Sequence, residues 1–205
     1  MTIYMLRHGE TEYNRLGIVQ GSGVNTDLND TGREQAKAFF ETYRELDFQL
    51  VVHSALKRSQ QTVAPFIEMG IPTIENADIN EIGWGDHEGK ESSPERLEVY
   101  EWMINEWKMG NFKAALPNGE SAEHLGERLE RFINWLRTEP VERLLVCTHG
   151  RTLRALVTLL KGKSLSEMEA TRHNNTGCYI FRIENGQFIF EIENSTEHLF
   201  KASSI

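Results

Sequence analysis

Short apolar runs alternate along this chain with segments whose apolar residues recur at helical spacing. Residues 2–6 form the first run, a buried strand by this pattern, and it stops at Arg7-His8-Gly9. Residues 10–30 are polar and rich in Gly and Asn, the composition of a long loop. Thr31-Gly32-Arg33-Glu34 has the form of a capping box, and Ala36, Phe39, Phe40 and Tyr43 follow on one helical face. A second strand is expected over residues 48–52, ending at His53-Ser54. The helix after it, 56–69, stops at Gly70 and contains Pro65, a candidate kink. A third strand, 72–74, leads to Asn80-Glu81-Ile82-Gly83-Trp84-Gly85. A fourth, 143–148, runs into His149-Gly150 and a helix over 152–160. Residues 179–183 and 188–192 flank Asn185-Gly186, a hairpin signal.

Two segments complete the pattern. Residues 121–137 form a long amphipathic helix with Leu125, Leu129, Phe132, Ile133 and Leu136 on one face. Residues 90–118 carry Trp102, Met103, Trp107 and Met109 and close on Leu116-Pro117-Asn118-Gly119; they read as a helical insertion near the active site. Their apolar residues suit a lid or a homodimer contact, and the sequence leaves both open. Strands separated by helices imply an α/β fold of three layers, α/β/α, around a mostly parallel sheet. The C-terminal β-hairpin should add antiparallel pairing at one edge. Residues 1–205 are expected to form a single domain.

Composition narrows the function. With 39% hydrophobic and 26% charged residues the chain should fold. Its 31 acidic against 22 basic residues give a net charge of −9, which argues against nucleic acid and anionic membranes as partners. A small phosphorylated metabolite is not excluded, because surface charge is screened beyond roughly 8 Å at physiological salt. Cys147 and Cys178 are too few for a disulfide framework. The apolar N-terminus is too short for a signal peptide and no run reaches membrane-spanning length, so the expected location is cytoplasmic.

The chemistry collects at strand ends: Arg7-His8-Gly9, then His53-Ser54 with Arg58, then Glu81, then Thr148-His149-Gly150. Parallel strands put their C-terminal ends along one sheet edge, where ligands bind in open α/β folds. Two histidines, two arginines and a glutamate could therefore meet there. That set suits phosphoryl transfer. Arginine forks match phosphate oxygens, a neutral histidine is a nucleophile near pH 7, and a glutamate can protonate a leaving alkoxide.

Leu6-Arg7-His8-Gly9-Glu10-Thr11 with Asn14 resembles the signature of the histidine phosphatase superfamily, in its phosphoglycerate mutase-like, cofactor-dependent branch. Ser54-Ala55-Leu56-Lys57-Arg58-Ser59-Gln60-Gln61-Thr62 is similar to that family's second motif. The segment from Asn80 to Gly89 resembles its acid-bearing motif, and Thr148-His149-Gly150 its last. The motifs come in the family's order and cover nearly the whole chain. Ala55, where the family often has Pro, Ser59, where it often has Ala, and Tyr13, where many members have Trp, depart from the pattern. The resemblance implies that His8 is the catalytic nucleophile and forms a phosphohistidine. It implies that Arg7, Arg58 and His149 clamp the phosphoryl group, that Asn14 and Gln20 add hydrogen bonds, and that Glu81 is the catalytic acid. It implies neither a metal nor a cofactor, except 2,3-bisphosphoglycerate if the protein is a mutase. The mutases usually carry a longer insertion and an added C-terminal segment, so the expected activity is that of a phosphatase. The alternatives are a cofactor-dependent phosphoglycerate mutase and a non-catalytic phosphate-ligand binding or regulatory protein. His53 is expected to be structural. His87 is a candidate pocket residue, and His173 and His198 lie near the site or at the surface.

Overall fold

The computed structural model describes residues 1–201. The chain opens with β1 (Thr2–Arg7), α1 (Glu12–Leu16), α2 (Asp30–Tyr43), β2 (Leu50–His53), α3 (Lys57–Glu68) and β3 (Thr73–Glu75). It continues through α4 (Pro94–Lys108), α5 (Ala122–Thr138), β4 (Arg143–Thr148) and α6 (Gly150–Leu160), and closes with β5 (Cys178–Glu184), β6 (Gln187–Ser195) and α7 (Glu197–Lys201). One six-stranded sheet has the order β3-β2-β4-β1-β5-β6. β1, β2, β3 and β4 run parallel; β5 and β6 add antiparallel pairing at one edge. The expected layering and edge hairpin are thus present.

Alternation along the central strands creates the two core faces. Leu144 and Val146 of β4 join Ile3 and Met5 beneath α5 and α6, where Leu129, Phe132, Leu153 and Leu156 are buried. Leu145 and Cys147 point the other way, with Leu6, against Phe39 of α2 and Val63 and Phe66 of α3. β3 is short and exposed at its edge, unlike its buried neighbours.

Several boundaries differ from expectation. The loop over 10–30 contains α1, which buries nothing; Thr11 caps it reciprocally with Asn14, and Gly17 ends it in the left-handed region at φ 67°. α2 is capped by Asn29, whose Oδ1 accepts from Gly32 N at 2.8 Å, so the expected capping residue Thr31 lies inside the helix. β2 begins at Leu50, because Phe48 N donates to Leu46 O in a turn. α3 runs through Pro65 to Glu68.

The 90–118 stretch contributes α4, whose Met103, Ile104 and Trp107 enter the main core with Ala114 and Leu116. Trp107 Nε1 donates to Ala114 O at 2.8 Å and closes the segment on itself. Leu97, Val99, Trp102 and Met109 remain exposed. No helix among the described residues is long and apolar enough to cross a membrane.

Candidate active site

The C-terminal ends of β1, β2 and β4 lie side by side, since His53 pairs with Cys147 and Leu6 with Cys147 in the ladder. The residues just beyond them converge. The His8 and His149 rings are 5.1 Å apart between centroids. Glu81 does not lie at a strand end; it is six residues past β3, beyond a 3-10 turn at Ala77–Ile79. It reaches the site because α6 needs it. His149 is the N-cap of α6 and offers no side-chain cap. Glu81 supplies one from across the sheet: its Oε2 accepts from Arg151 N at 3.1 Å and its Oε1 from Thr152 N at 3.0 Å. Thr152 Oγ1, at 3.1 Å, and Ile82 N, at 3.0 Å, also donate to Oε1. Unpaired amides and a positive dipole end at a helix start favour a carboxylate there. One contact set therefore fixes Glu81 beside His149.

Hydrogen bonding sets the histidine tautomers. His8 Nδ1 lies 2.7 Å from Gly9 O, and a carbonyl can only accept, so Nδ1 carries the proton and Nε2 the lone pair. Ser54 Oγ accepts from Leu56 N at 3.2 Å and lies 2.6 Å from His149 Nε2. The hydroxyl proton has His149 Nε2 as its acceptor among the described residues. His149 accordingly carries its own proton on Nδ1. Burial pushes the pKa of both histidines well below the usual imidazole range, and the Arg58 and Arg7 charges push the same way. His8 is a neutral imidazole with an available lone pair.

Positive charge surrounds these rings. Arg58 is fully buried, and its guanidinium donates to Val24 O at 2.7 Å and Gly21 O at 3.2 Å, which ties the loop before α2 over the site. Burial lowers its pKa to about 10, partly offset by Glu81, so it stays cationic at neutral pH. Arg7 Nη1 donates to His173 O at 2.9 Å and contacts His173 Nδ1 at 3.2 Å. Arg7 Nε, Arg58 Nε and His149 Nδ1 are buried donors with no hydrogen-bond partner among the described residues. Buried donors of this kind are costly unless satisfied, and a phosphoryl group would satisfy all three.

Tight backbone approaches hold the loop after His8. A Cβ on Gly9 would lie 2.6 Å from Gly32 O, so the start of α2 packs directly on the residue after His8. A Cβ on Gly150 would lie 3.1 Å from His173 Nδ1, so this glycine lets His173 reach Arg7.

The other expected residues divide. Asn14 is at the site: its Oδ1 accepts from Asn175 Nδ2 at 3.3 Å, and the same amide donates to His8 O at 3.0 Å. Gln20 has both ends of its amide engaged, donating to Thr11 Oγ1 at 2.7 Å and accepting from Thr26 Oγ1 at 2.6 Å. These bonds brace the loop and leave the second Nε2–H of the amide without a partner among the described residues. His53 is buried with Nδ1 on Ser54 O at 2.7 Å. His87 and Trp84 line an apolar cavity of about 280 Å³ with Gln20, Tyr100 and Leu116. His198 packs its ring on Phe39 and Tyr43, and its Nε2 lies 3.0 Å from Thr176 Oγ1.

Residues to which the sequence assigned no role also belong here. Ser54 orients His149, and His173 and Asn175 brace Arg7 and His8. Arg151 is nearly buried, bonds Glu169 and Tyr100 Oη, and stacks over Trp84 and Trp107 at 5.7 and 5.8 Å. The signal for Asn175 was its place in Asn174-Asn175-Thr176-Gly177, a turn with Thr176 at φ 51° just before β5.

A parallel-sheet edge bearing two neighbouring histidines, two arginines and a buried glutamate has the make-up of a phosphate-binding site on an α/β fold. Comparison with known proteins gives the family: the sequence matches the histidine phosphatase superfamily (branch 1) over residues 3–196, and the chain belongs to it. It is 28% identical, over 89% of both chains, to the putative phosphoserine phosphatase 2 of Hydrogenobacter thermophilus. It is 30% identical to the 2,3-bisphosphoglycerate-dependent phosphoglycerate mutase of Bartonella tribocorum, over 82% of this chain and 84% of that one. Among solved structures, the alpha-ribazole phosphatase of Shigella flexneri superposes with a TM-score of 0.84 at 28% identity, covering 96% of this chain and 97% of that one.

Proposed function

We propose that this protein hydrolyses a small phosphomonoester in two steps through a phosphohistidine on His8. His8 Nε2 attacks phosphorus and the bond from phosphorus to the ester oxygen breaks. Glu81 gives the leaving alkoxide its proton. Water then attacks phosphorus, Glu81 takes a proton from it, and the P–N bond breaks to return the lone pair to Nε2. Glu81 Oε1 accepts two backbone N–H bonds and shares the Thr152 hydroxyl proton with Asn80 O, whereas Oε2 accepts one bond, so Oε2 is the oxygen with more capacity to carry the transferred proton. Arg7, Arg58 and His149 Nδ1–H stabilise the charge on the equatorial oxygens, the main task in phosphoryl transfer. Asn14 and Asn175 position the loop that carries His8; Gln20 acts through Thr11 at the start of α1.

The observation that carries this reading is the set of three unpartnered buried donors around a histidine whose lone pair is on Nε2. The mutase alternative is favoured by the similarity to phosphoglycerate mutases; it uses the same residues but returns the phosphoryl group to another oxygen of the substrate, with 2,3-bisphosphoglycerate as cofactor. Two buried, unpaired cysteines, Cys147 and Cys178, fit a reducing compartment, and the cytoplasm is the proposed one. The test is incubation with 3-phosphoglycerate and catalytic 2,3-bisphosphoglycerate, followed by phosphorus NMR. Inorganic phosphate is the expected product. Rapid conversion to 2-phosphoglycerate with little free phosphate would replace the phosphatase reading with the mutase one.

A further inference from the structure

We propose that the substrate carries a second anionic group, a carboxylate or another phosphoryl, and that Arg154 and Arg172 bind it in a recess beside the phosphoryl site. This proposal rests on the phosphomonoesterase reading and adds the class of leaving group.

The recess has a volume of about 370 Å³ and is lined by Arg7, Arg154, Arg172, His173, Asn174 and Asn175. Arg7 belongs to it and to the phosphoryl clamp alike, so a substrate held at His8 has this space next to it. Three of the six lining side chains are arginines, and no carboxylate among the described residues lines the recess, in a protein whose net charge is −9. Charge this uneven points to an anion.

The local pairing leaves the arginines under-neutralised. Glu169 is the carboxylate within reach, and two arginines share it. Its Oε1 is bonded to Arg151 and its Oε2 accepts from Arg154 Nη1 at 2.6 Å. Arg154 Nε is buried with no hydrogen-bond partner among the described residues. Arg172 makes no side-chain hydrogen bond or ion pair among the described residues. Burial and, after it, the neighbouring Arg151 charge lower the Arg154 pKa, and Glu169 offsets part of this. The lower wall adds fixed polar groups: Asn174 and Asn194 bond each other through their amides at 2.6 Å, which holds the turn carrying His173 and Asn175.

Each arginine contact with an anion should be worth about tenfold to a hundredfold in affinity. The esters 3-phosphoglycerate and glycerol 3-phosphate share the leaving oxygen type and differ in carboxylate against hydroxymethyl. 2,3-Bisphosphoglycerate supplies the second-phosphoryl arm. The wild-type enzyme is expected to prefer one of the two acidic esters over glycerol 3-phosphate by about tenfold or more in kcat/KM, and the acid preferred tells carboxylate from phosphoryl. Arg172→Ala, at an exposed position where folding is safe, should shrink that ratio toward one, and Arg172→Lys should restore part of it. Direct titration of the same esters into His8→Ala protein gives a readout independent of turnover: the acidic ester should bind about tenfold tighter, and less so after Arg172→Ala. Equal binding of acidic and neutral esters would overturn the proposal. If the binding preference appears but wild-type protein turns over neither these esters nor p-nitrophenyl phosphate, the recess stands and the phosphatase reading falls.

Discussion

Ser54→Ala isolates the role of one hydroxyl. Ser54 Oγ sits 2.6 Å from His149 Nε2 and accepts from Leu56 N at 3.2 Å, in a site with no exposure. Its removal leaves two buried polar groups unsatisfied, each costing about 1–3 kcal/mol. A typical domain has about 5–15 kcal/mol in hand, so the variant should fold with a lowered Tm. The catalytic effect has two parts. Without the hydroxyl proton on Nε2, the Nδ1–H and Nε2–H tautomers of His149 become comparable, and that alone halves the competent population. The larger part is lost orientation of a donor that must face a phosphoryl oxygen. Together they should lower kcat/KM by about 10–50-fold, or roughly 1.4–2.3 kcal/mol in the transition state. Ser54→Thr keeps the hydroxyl and should recover most of the rate even where the added methyl lowers Tm. Steady-state hydrolysis of an alkyl phosphate gives the rates, and nitrogen-15 shifts of His149 report the tautomer. Wild-type kcat/KM in Ser54→Ala, or a wild-type His149 carrying its proton on Nε2, would refute the tautomer assignment.

Other perturbations probe the remaining parts. Glu81→Gln should slow alkyl phosphates strongly and aryl phosphates much less, because a good leaving group needs little proton donation; equal loss on both would remove Glu81 as the acid. The same variant should lose about 1–3 kcal/mol of stability, since an amide NH2 would face the Arg151 or Thr152 N–H donors; chemical denaturation measures it. Arg58→Lys should cut kcat/KM by about a hundredfold or more, because a compact ammonium does not span the separate positions from which Nη1, Nη2 and Nε of the planar guanidinium meet Val24 O, Gly21 O and the phosphoryl group; a loss under fivefold would contradict the clamp. Stability should fall on acidification from pH 7 to pH 5. His173 is depressed to about 3 and His198 to about 4. The unfolded chain therefore takes up protons below about pH 6.5 that the folded one refuses, at up to about 1.4 kcal/mol per pH unit for each such histidine. A Tm that is flat from pH 7 to pH 5 would contradict the buried neutral state of these rings.

The parallel sheet and its covering helices were legible because their signals are long-range averages: apolar runs for β1 and β4, and a full apolar stripe on α5. α1 was not legible, because it buries no residue and depends on the Thr11–Asn14 cap and Gly17. The cap of α2 was misplaced by two residues because Asn29 and Thr31 are both good capping residues, and only the backbone path puts Asn29 opposite Gly32 N. In the site, the motif residues Arg7, His8, Arg58 and His149 stand where strand-end reasoning puts them. Glu81 is not at a strand end and reaches the same edge for a reason the sequence hides: it caps a helix 70 positions away. Arg154, His173 and Asn175 carried no motif, since their meaning lies in contacts with Glu169, Arg7 and His8 across the fold. Gln20 is a motif position whose loop-bracing bonds to Thr11 and Thr26 the sequence does not show.

The central claim is covalent capture of the phosphoryl group by His8 Nε2. Rapid-quench incubation with a phosphorus-32-labelled phosphomonoester, followed by peptide mapping, tests it directly. The account predicts an acid-labile, base-stable label on the peptide containing His8, formed faster than turnover and absent in His8→Ala. A label of wild-type amount in His8→Ala, or turnover by wild-type protein with no protein-bound phosphorus on this timescale, would contradict it.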